Sequence, residues 1–457
     1  MSNTLEQIEY APVSALKPYP GNARTHSKRQ IRQIAASIER FQFTNPVLVD
    51  DDNVIVAGHG RVEAAKLLGI DTIPVRRLSH LSPDEIRAYR IADNRFAELA
   101  GWDSAILAIE LQHLAAIEFK MDAIGFETAE IDIVLDAAQA GDPNGDDGAD
   151  DEVLEPPARP VTALGDVWVL GRHRLVCGDA LNKETLAALM GGEIAQAMFT
   201  DPPYNVPIDG FASGKGKAVR REFAMASGEM SRAEFETFLT RALGAAAEHL
   251  CDGAIAFVCM DWRHIGELLS AAEAIFDALK NICVWTKSNG GMGSLYRSQH
   301  EFVCVFKKGK AAHANNVELG RHGRNRTNVW AYAGANAFGA ARDQELAMHP
   351  TVKPVALIED ALKDVTTRGA IVLDPFGGSG STLIAAERCG RSARLIELDP
   401  AYCDVILARY ARCTGAAPVR VHDGRRFELD PAPAAPAGKA KAQAKAKPHA
   451  AVRSARA

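Results

Sequence analysis

A chain of 457 residues exceeds one ordinary domain and fits two folded blocks joined by a linker. With 47% hydrophobic and 24% charged residues it can bury large cores, which excludes global disorder; its apolar runs, such as Ile255 to Met260, fall far short of the ~20 residues of a membrane helix. The net charge of −6 excludes a uniformly basic nucleic-acid coat, so charge has to be weighed segment by segment.

The first ten residues carry Glu6 and Glu9 and lack the basic and apolar regions of a signal peptide, so a cytoplasmic location is expected. From Ser27 to Phe41, the apolar residues Ile31, Ile34, Ala35 and Ile38 fall at helical spacing. Short strands are expected at 46–49 and 54–56, around the turn Asp50-Asp51-Asp52-Asn53. The turn Ala57-Gly58-His59-Gly60-Arg61 then opens a helix over 62–68 that ends at Gly69. A glycine turn at a helix start offers free N–H groups and the positive end of the helix dipole to an anion. A plain strand-turn-helix connection has the same pattern.

Residues 138–160 are rich in Asp, Glu, Gly and Pro, including Asp146, Asp147, Asp150 and Asp151, and read as an acidic linker. They divide an N-terminal block at 8–137, with a helical extension, from a larger block at 161–430, and two separately folded cores are expected. Residues 431–457 form a basic Ala, Pro and Lys tail, which would hold DNA phosphates without distinguishing bases. Eight cysteines lie between Cys177 and Cys413 without a C-x-x-C pair, pointing to reduced thiols and to no metal site.

In the larger block, a strand over 194–200 runs into Asp201-Pro202-Pro203-Tyr204. Two prolines cannot continue a central strand, so the chain turns there and projects Asp201 and Tyr204 at the strand's C-terminal edge, where open α/β sheets bind ligands. Asp201 and the Pro202 carbonyl can accept both hydrogens of an exocyclic amine, aligning its lone pair, while Tyr204 stacks on a base taken out of the helix.

A second apolar strand over 370–373 leads into Asp374-Pro375-Phe376-Gly377-Gly378-Ser379-Gly380-Ser381-Thr382 and a helix over 383–388. The glycines let the backbone approach a ligand closely. The loop has neither the lysine of a P-loop, nor the dinucleotide fingerprint, nor a nucleophile elbow, which leaves a cofactor without a pyrophosphate. Glu397, seventeen positions after Gly380, ends the next strand, where an acid can accept both ribose hydroxyls of a nucleoside cofactor. Asp374 is placed to bind its amino group. If the two motif-bearing strands are neighbours across a topological switch, their separation in sequence is harmless.

Together these motifs resemble the β-class DNA amino-methyltransferases, whose catalytic motif precedes the cofactor loop as Asp201 precedes Asp374 here. The segment Lys353-Pro354 with the His349-Pro350-Thr351-Val352 before it resembles the part that packs against the methionine end of the cofactor. Gly178-Asp179-Ala180 resembles the turn that contacts the adenine amine, and Glu397-Leu398-Asp399-Pro400 the ribose motif. The resemblance spans about 161–425. It implies a doubly wound α/β mixed sheet with permuted motif order and S-adenosylmethionine as cofactor. Asp201, Pro202, Pro203 and Tyr204 would be catalytic; Asp179, Lys353, Asp374, Phe376, Gly377, Gly378, Gly380 and Glu397 would bind the cofactor. Adenine N6 is favoured over cytosine N4, whose enzymes more often begin the motif with Ser. Protein and RNA methyltransferases generally carry Asn there, with the cofactor loop upstream.

The N-terminal block over about 8–100 resembles the small α+β ParB N-terminal domain, on the strength of Asn22-Ala23-Arg24, Gly58-His59-Gly60-Arg61 with the Ala64-Ala65 helix, and Asn94-Arg95. ParB relatives bind a nucleotide at this box, which makes Gly58, His59, Gly60 and Arg61 nucleotide-binding candidates, although Gly60 stands where a second Arg is usual. A ParB-like partition or regulatory module with an accessory methyltransferase is the alternative reading of the whole chain. Double-stranded DNA is the expected partner, with a second copy of the chain as a further candidate. Lys215, Lys217, Arg220 and Arg221 suit a loop closing over phosphates, while Arg321, Arg324, Arg326 and the polar stretch from Lys287 to Gly293 are candidates for reading base edges. His300 and Glu301, at the start of an apolar strand, read as a structural pair and not as metal ligands.

Overall fold

The computed structural model describes residues 8–117, 119–140, 154–206, 228–287, 290, 295–320, 324–332 and 352–428. The N-terminal block runs β1 (Ile8–Pro12), α1 (Lys28–Phe41), β2 (Val47–Val49), β3 (Ile55–Ala57), α2 (His59–Leu68), β4 (Thr72–Arg77), α3 (Pro83–Leu99), α4 (Ser104–Ala116) and α5 (Thr128–Ala140). Its four strands lie in the order β1-β4-β2-β3. Local chemistry sets the helix starts. Ser27 accepts the Gln30 N–H at the start of α1, Ser82 and Glu85 form a reciprocal capping box on α3, and Asp103 caps α4, each satisfying N–H groups that the first turn leaves free. Val47, Val49, Ile55, Ile73 and Val75 are buried under α2 through Val62 and Ala65.

The second block contains β5 (Val167–Leu170), β6 (His173–Cys177), α6 (Lys183–Met190), β7 (Ala195–Thr200), α7 (Arg232–Ala247), β8 (Leu250–Met260), α8 (Ile265–Glu273), β9 (Ala278–Thr286), β10 (His300–Lys307), β11 (Val329–Ala331), α9 (Val355–Val365), β12 (Ile371–Asp374), α10 (Ser381–Arg388), β13 (Ser392–Glu397), α11 (Pro400–Thr414) and β14 (Val419–Arg420). One ten-stranded sheet has the order β11-β9-β10-β8-β7-β12-β13-β6-β5-β14. Its centre is parallel from β8 through β7, β12 and β13 to β6, and antiparallel strands extend both sides.

The period of two along each strand divides the core between two faces. Phe199, Phe257, Val372 and Leu395 pack under α9, α10 and α11, while Met198, Val258, Leu373 and Ile396 pack under α6, α7 and α8. With helices on both faces the central strands are apolar throughout, as a doubly wound sheet requires, and each buried Phe or Leu contributes about 1.5–3 kcal/mol. The cysteines are all unpaired. Among the described residues no helix is long and apolar enough to cross a membrane.

The two blocks keep separate apolar clusters and are joined by buried polar contacts. Asp132 of α5, 1% exposed, takes both terminal nitrogens of the fully buried Arg391, at 3.1 and 2.9 Å, and Arg368 at 2.8 Å. Arg391 also donates to the carbonyl of Thr366 at 2.9 Å and to that of Cys389, so the guanidinium is satisfied only with α5 in place. One turn further along α5, Asp136 pairs with Lys363 at 2.7 Å. Helix α5 thus completes a buried ion pair whose other half lies in the second block.

Candidate active site

Strand β7 ends at Thr200, and Pro202 and Pro203 turn the chain out of the sheet. The neighbouring β12 pairs with it in parallel, Val372 opposite Ala197 and Leu373 opposite Met198, and the Thr200 hydroxyl donates to Asp374 Oδ1 at 3.0 Å. The two motifs that lie so far apart in sequence therefore share one sheet edge. Beyond β12, β13 ends in Glu397 and β6 leads into Gly178-Asp179. Asp201, Asp374, Glu397 and Asp179 accordingly line the C-terminal ends of the adjacent strands β7, β12, β13 and β6, over the crevice that a change of winding direction leaves open.

The glycine loop after β12 is shaped by its backbone. Gly380, at φ +86°, is the N-cap of α10, a left-handed conformation that few other residues adopt, and a Cβ there would meet Ile406 at 3.1 Å. Gly377 donates to the Ile396 carbonyl at 2.7 Å, and Gly378 donates to Glu397 Oε2 at 2.8 Å. The other oxygen of Glu397 accepts the Asp399 N–H, also at 2.8 Å. Burial pushes the Glu397 carboxyl up to about 7 against these hydrogen bonds, and burial raises Asp374 to about 7 against bonds from Thr382, the Phe376 N–H and Thr200. Neither acid forms an ion pair among the described residues. Backbone donors leave Glu397 without a neutralising charge, so it and Asp374 suit a ligand that brings neutral hydroxyl and amino donors.

Asp201 lies in the opposite electrostatic setting. Its Oδ2 accepts from Lys353 Nζ at 2.5 Å, and its Oδ1 accepts from the Tyr204 hydroxyl. Lys353, with a side chain 3% exposed, also reaches Glu301 Oε2 at 3.0 Å and Tyr204 Oη at 3.0 Å. Glu301, in turn, binds Lys287 through its other oxygen. Burial alone would lift the Glu301 carboxyl, but the two ammonium groups hold it down at about 2. Burial would lower Lys353, and the two carboxylates more than reverse this, so it stays an ammonium. Burial raises Asp201, opposed by Lys353.

The DNA methylase family model matches residues 195–408, the stretch that carries Asp201, Lys353, Asp374 and Glu397. Residues 195–408 thus form a domain of the N6/N4 DNA methylase family. Ahead of the methylase, residues 1–94 match the ParB N-terminal domain and residues 105–164 the ParB-methyltransferase HTH domain. The chain is 49% identical over 85 residues to the ParB-like nuclease domain-containing protein YnaK of Escherichia coli (strain K12), 19% of this chain and 97% of that one. It is 26% identical over 225 residues to YubD of the same strain, covering 49% of this chain and 84% of that one. Among solved structures, that of M1.HpyAVI is similar over 51% of this chain and 96% of that one, at 19% identity and a TM-score of 0.37.

Other expected site residues of the methylase lie as follows. Asp179 accepts the Leu181 N–H at 2.9 Å beside the end of β6, and Phe376 packs on Phe238. Tyr204, expected to stack on a base, has its hydroxyl on Asp201 and its ring 5.3 Å from Lys353 Nζ. Lys215, Lys217, Arg220, Arg221, Arg321 and the His349 to Thr351 part of the cofactor segment lie outside the described residues.

Arg324 and Arg326, expected to read base edges, are ion-paired in this structure. Arg324 binds Asp364 at 2.8 Å, and Arg326 binds Asp364 and Asp360, both at 3.0 Å. Two acids one turn apart on α9 therefore hold both guanidinium groups against the fold. Lys287 is likewise held by Glu301. Glu301 itself, expected to be structural, stands in the cluster around Lys353 and Tyr204.

In the ParB domain, Gly58 is the left-handed N-cap of α2 at φ +102°, and the Arg61 Nε is buried without a hydrogen-bond partner. A Cβ on Gly60 would meet the Ile34 Cδ1 at 2.9 Å and His26 at 3.2 Å, so a larger residue there would require both side chains to shift.

Proposed function

We propose that the protein transfers a methyl group from S-adenosylmethionine to the exocyclic amine of a base, adenine N6, extruded from double-stranded DNA. The observation that carries this reading is the line of acids Asp201, Asp374, Glu397 and Asp179 along the ends of β7, β12, β13 and β6. Two of these acids, Asp374 and Glu397, are buried without a cation, and Asp201 accepts from the Lys353 ammonium. When bound, S-adenosylmethionine supplies an electrophilic methyl group. Glu397 would accept the ribose hydroxyls, Asp374 and Asp179 the amino groups, and Gly377, Gly378 and Gly380 would let the backbone close on the cofactor beside Phe376, with Lys353 at its methionine end.

Asp201 and the Pro202 carbonyl would hold the target amine with its lone pair directed at the incoming methyl carbon, and Pro203 and Tyr204 would complete the base pocket. Asp in place of Ser at the head of the motif favours adenine over cytosine. In the ParB domain, the N-terminus of α2 with Gly58, His59, Gly60 and Arg61 is proposed to take a nucleotide phosphate, supported by the unsatisfied Arg61 nitrogen. Single-molecule sequencing of DNA from cells expressing the protein tests the main reading. A motif with N6-methyladenine, lost on Asp201→Ala, is the expected result. N4-methylcytosine would replace the base assignment, and unmodified DNA would remove the reaction.

A further inference from the structure

Both oxygens of Asp201 are already occupied by the protein, Oδ2 by Lys353 and Oδ1 by Tyr204. An exocyclic amine arriving at Asp201 competes with these donors for the carboxylate's lone pairs and, in the case of the Lys353 ammonium, for its charge. Each donor has the same second acceptor within reach. Glu301 Oε2 lies 3.0 Å from Lys353 Nζ and 3.2 Å from Tyr204 Oη, and apart from Asp201 no other carboxylate lies within bonding distance of either among the described residues.

Glu301 is itself held rigidly. Its backbone lies in the β9–β10 ladder opposite Trp285, its side chain is 9% exposed, and Lys287 fixes its remaining oxygen. The cluster is balanced in charge, two carboxylates against two ammoniums. While Lys353 sits on Asp201, the carboxylate is neutralised. Once Lys353 rests on Glu301 alone, Asp201 faces the amine with its full charge. Positive charge develops on that nitrogen only as the new N–C bond forms, so an unneutralised carboxylate there favours the transition state over the ground state.

We infer that Lys353 is a placeholder for the target amine on Asp201, and that Glu301 is the positioning residue that receives the lysine when the base enters. This inference rests on the methyl-transfer reading. It assigns a role in the reaction to a residue that touches neither the base nor the cofactor and acts through Lys353.

The test uses the full-length chain and duplexes carrying the methylated motif, with a fluorescent base analogue at the target position. The wild type is expected to brighten the analogue on binding, as the base leaves the stack. Glu301→Gln keeps the shape but removes the receiving charge, so Lys353 stays on Asp201. It is expected to lose the fluorescence rise and about 10- to 100-fold in kcat, the factor that one charge-assisted hydrogen bond carries, with S-adenosylhomocysteine affinity unchanged by calorimetry. The double variant Glu301→Gln with Lys353→Met is again balanced in charge and has no ammonium to block Asp201. It should regain the fluorescence rise, which a merely structural role for Glu301 would not produce.

Melting temperatures identify unfolded variants. If the single variant does not fold, the double variant decides. Wild-type fluorescence and kcat in Glu301→Gln would overturn the inference, and so would a folded double variant that leaves the base stacked. A wild type that methylates no DNA at all would overturn the methyl-transfer reading, a result distinguishable from either of these.

Discussion

Glu397 and Glu301 are the same residue type, both buried at the edge of one sheet, yet burial raises the first to about 7 and two lysines hold the second at about 2. The difference lies in their neighbours. Backbone N–H groups of Gly378 and Asp399 face Glu397 and bring no net charge, whereas Lys287 and Lys353 face Glu301. A buried acid without a cation is a receptor for neutral donors, and a buried acid with cations is a device for placing those cations. The proposed cofactor side and target side of the crevice differ in this way.

The largest expected effect is on the target side. Asp201→Ala should lower methyl transfer by about 1000-fold, the scale of losing a group aimed at developing charge, while calorimetry shows cofactor binding intact. Equal loss of cofactor affinity would erase the distinction between the two sides. A second variant asks whether a buried ion pair away from the crevice is purely structural. Asp132→Ala strands Arg391 without its carboxylate and is expected to destabilise the protein by about 3–5 kcal/mol, the cost of breaking a buried pair, in denaturant unfolding. The fragment 161–428 should be weakened in the same way, and an unchanged stability in both would show the α5 contact to be idle.

On the cofactor side the effects are smaller. Glu397→Gln or Asp374→Asn should weaken S-adenosylhomocysteine binding by about 10- to 100-fold and leave kcat at saturation less affected than in Asp201→Ala. The smallest effect is one of pH. Asp374 and Glu397 hold their protons more tightly folded than unfolded, so their contribution to stability is present below the ordinary carboxylate range and is lost as pH rises through about 7. A ligand that donates hydrogen bonds prefers the ionised acids. Its affinity should therefore rise as pH approaches 7 and then level off, with proton release detectable by calorimetry in two buffers. Glu301 has the opposite sign, contributing stability above the ordinary range that is lost only as pH falls toward about 2. Affinity that does not vary with pH would break the contrast between the two acids.

Asp201, Asp374 and Glu397 were legible in the sequence because each follows an apolar strand and sits beside residues that only a sharp turn tolerates, paired prolines in one case and glycines in another. Their joint placement also follows from strand order, since β7 and β12 are neighbours. Glu301 was not legible. It reaches the crevice because β10 runs antiparallel to β8, which brings the start of one strand to the edge where the parallel strands end, and no local pattern around Glu301 encodes that pairing. The ion pairing of Arg324 and Arg326 was hidden for the related reason that a basic cluster looks alike whether it awaits phosphate or is already matched, and their partners Asp360 and Asp364 lie more than thirty residues away. The acidic composition after residue 140 marked a division in the chain but carried no sign that Asp132, just before it, is buried against Arg391.

Asp132 and Arg391 are separated by 259 residues, and at 5–20 residues per second a ribosome needs roughly 13–52 s to add them. During that interval α5 has left the ribosome, its acid is hydrated by water, and the arginine that will bury it does not yet exist. Any folding of the ParB block in that interval proceeds without the methylase, and the clasp between them closes as a late assembly step after synthesis has passed β13. Slowing elongation beyond the separation's midpoint should leave the N-terminal fold untouched and delay only the moment at which the two halves of the nascent chain lock together.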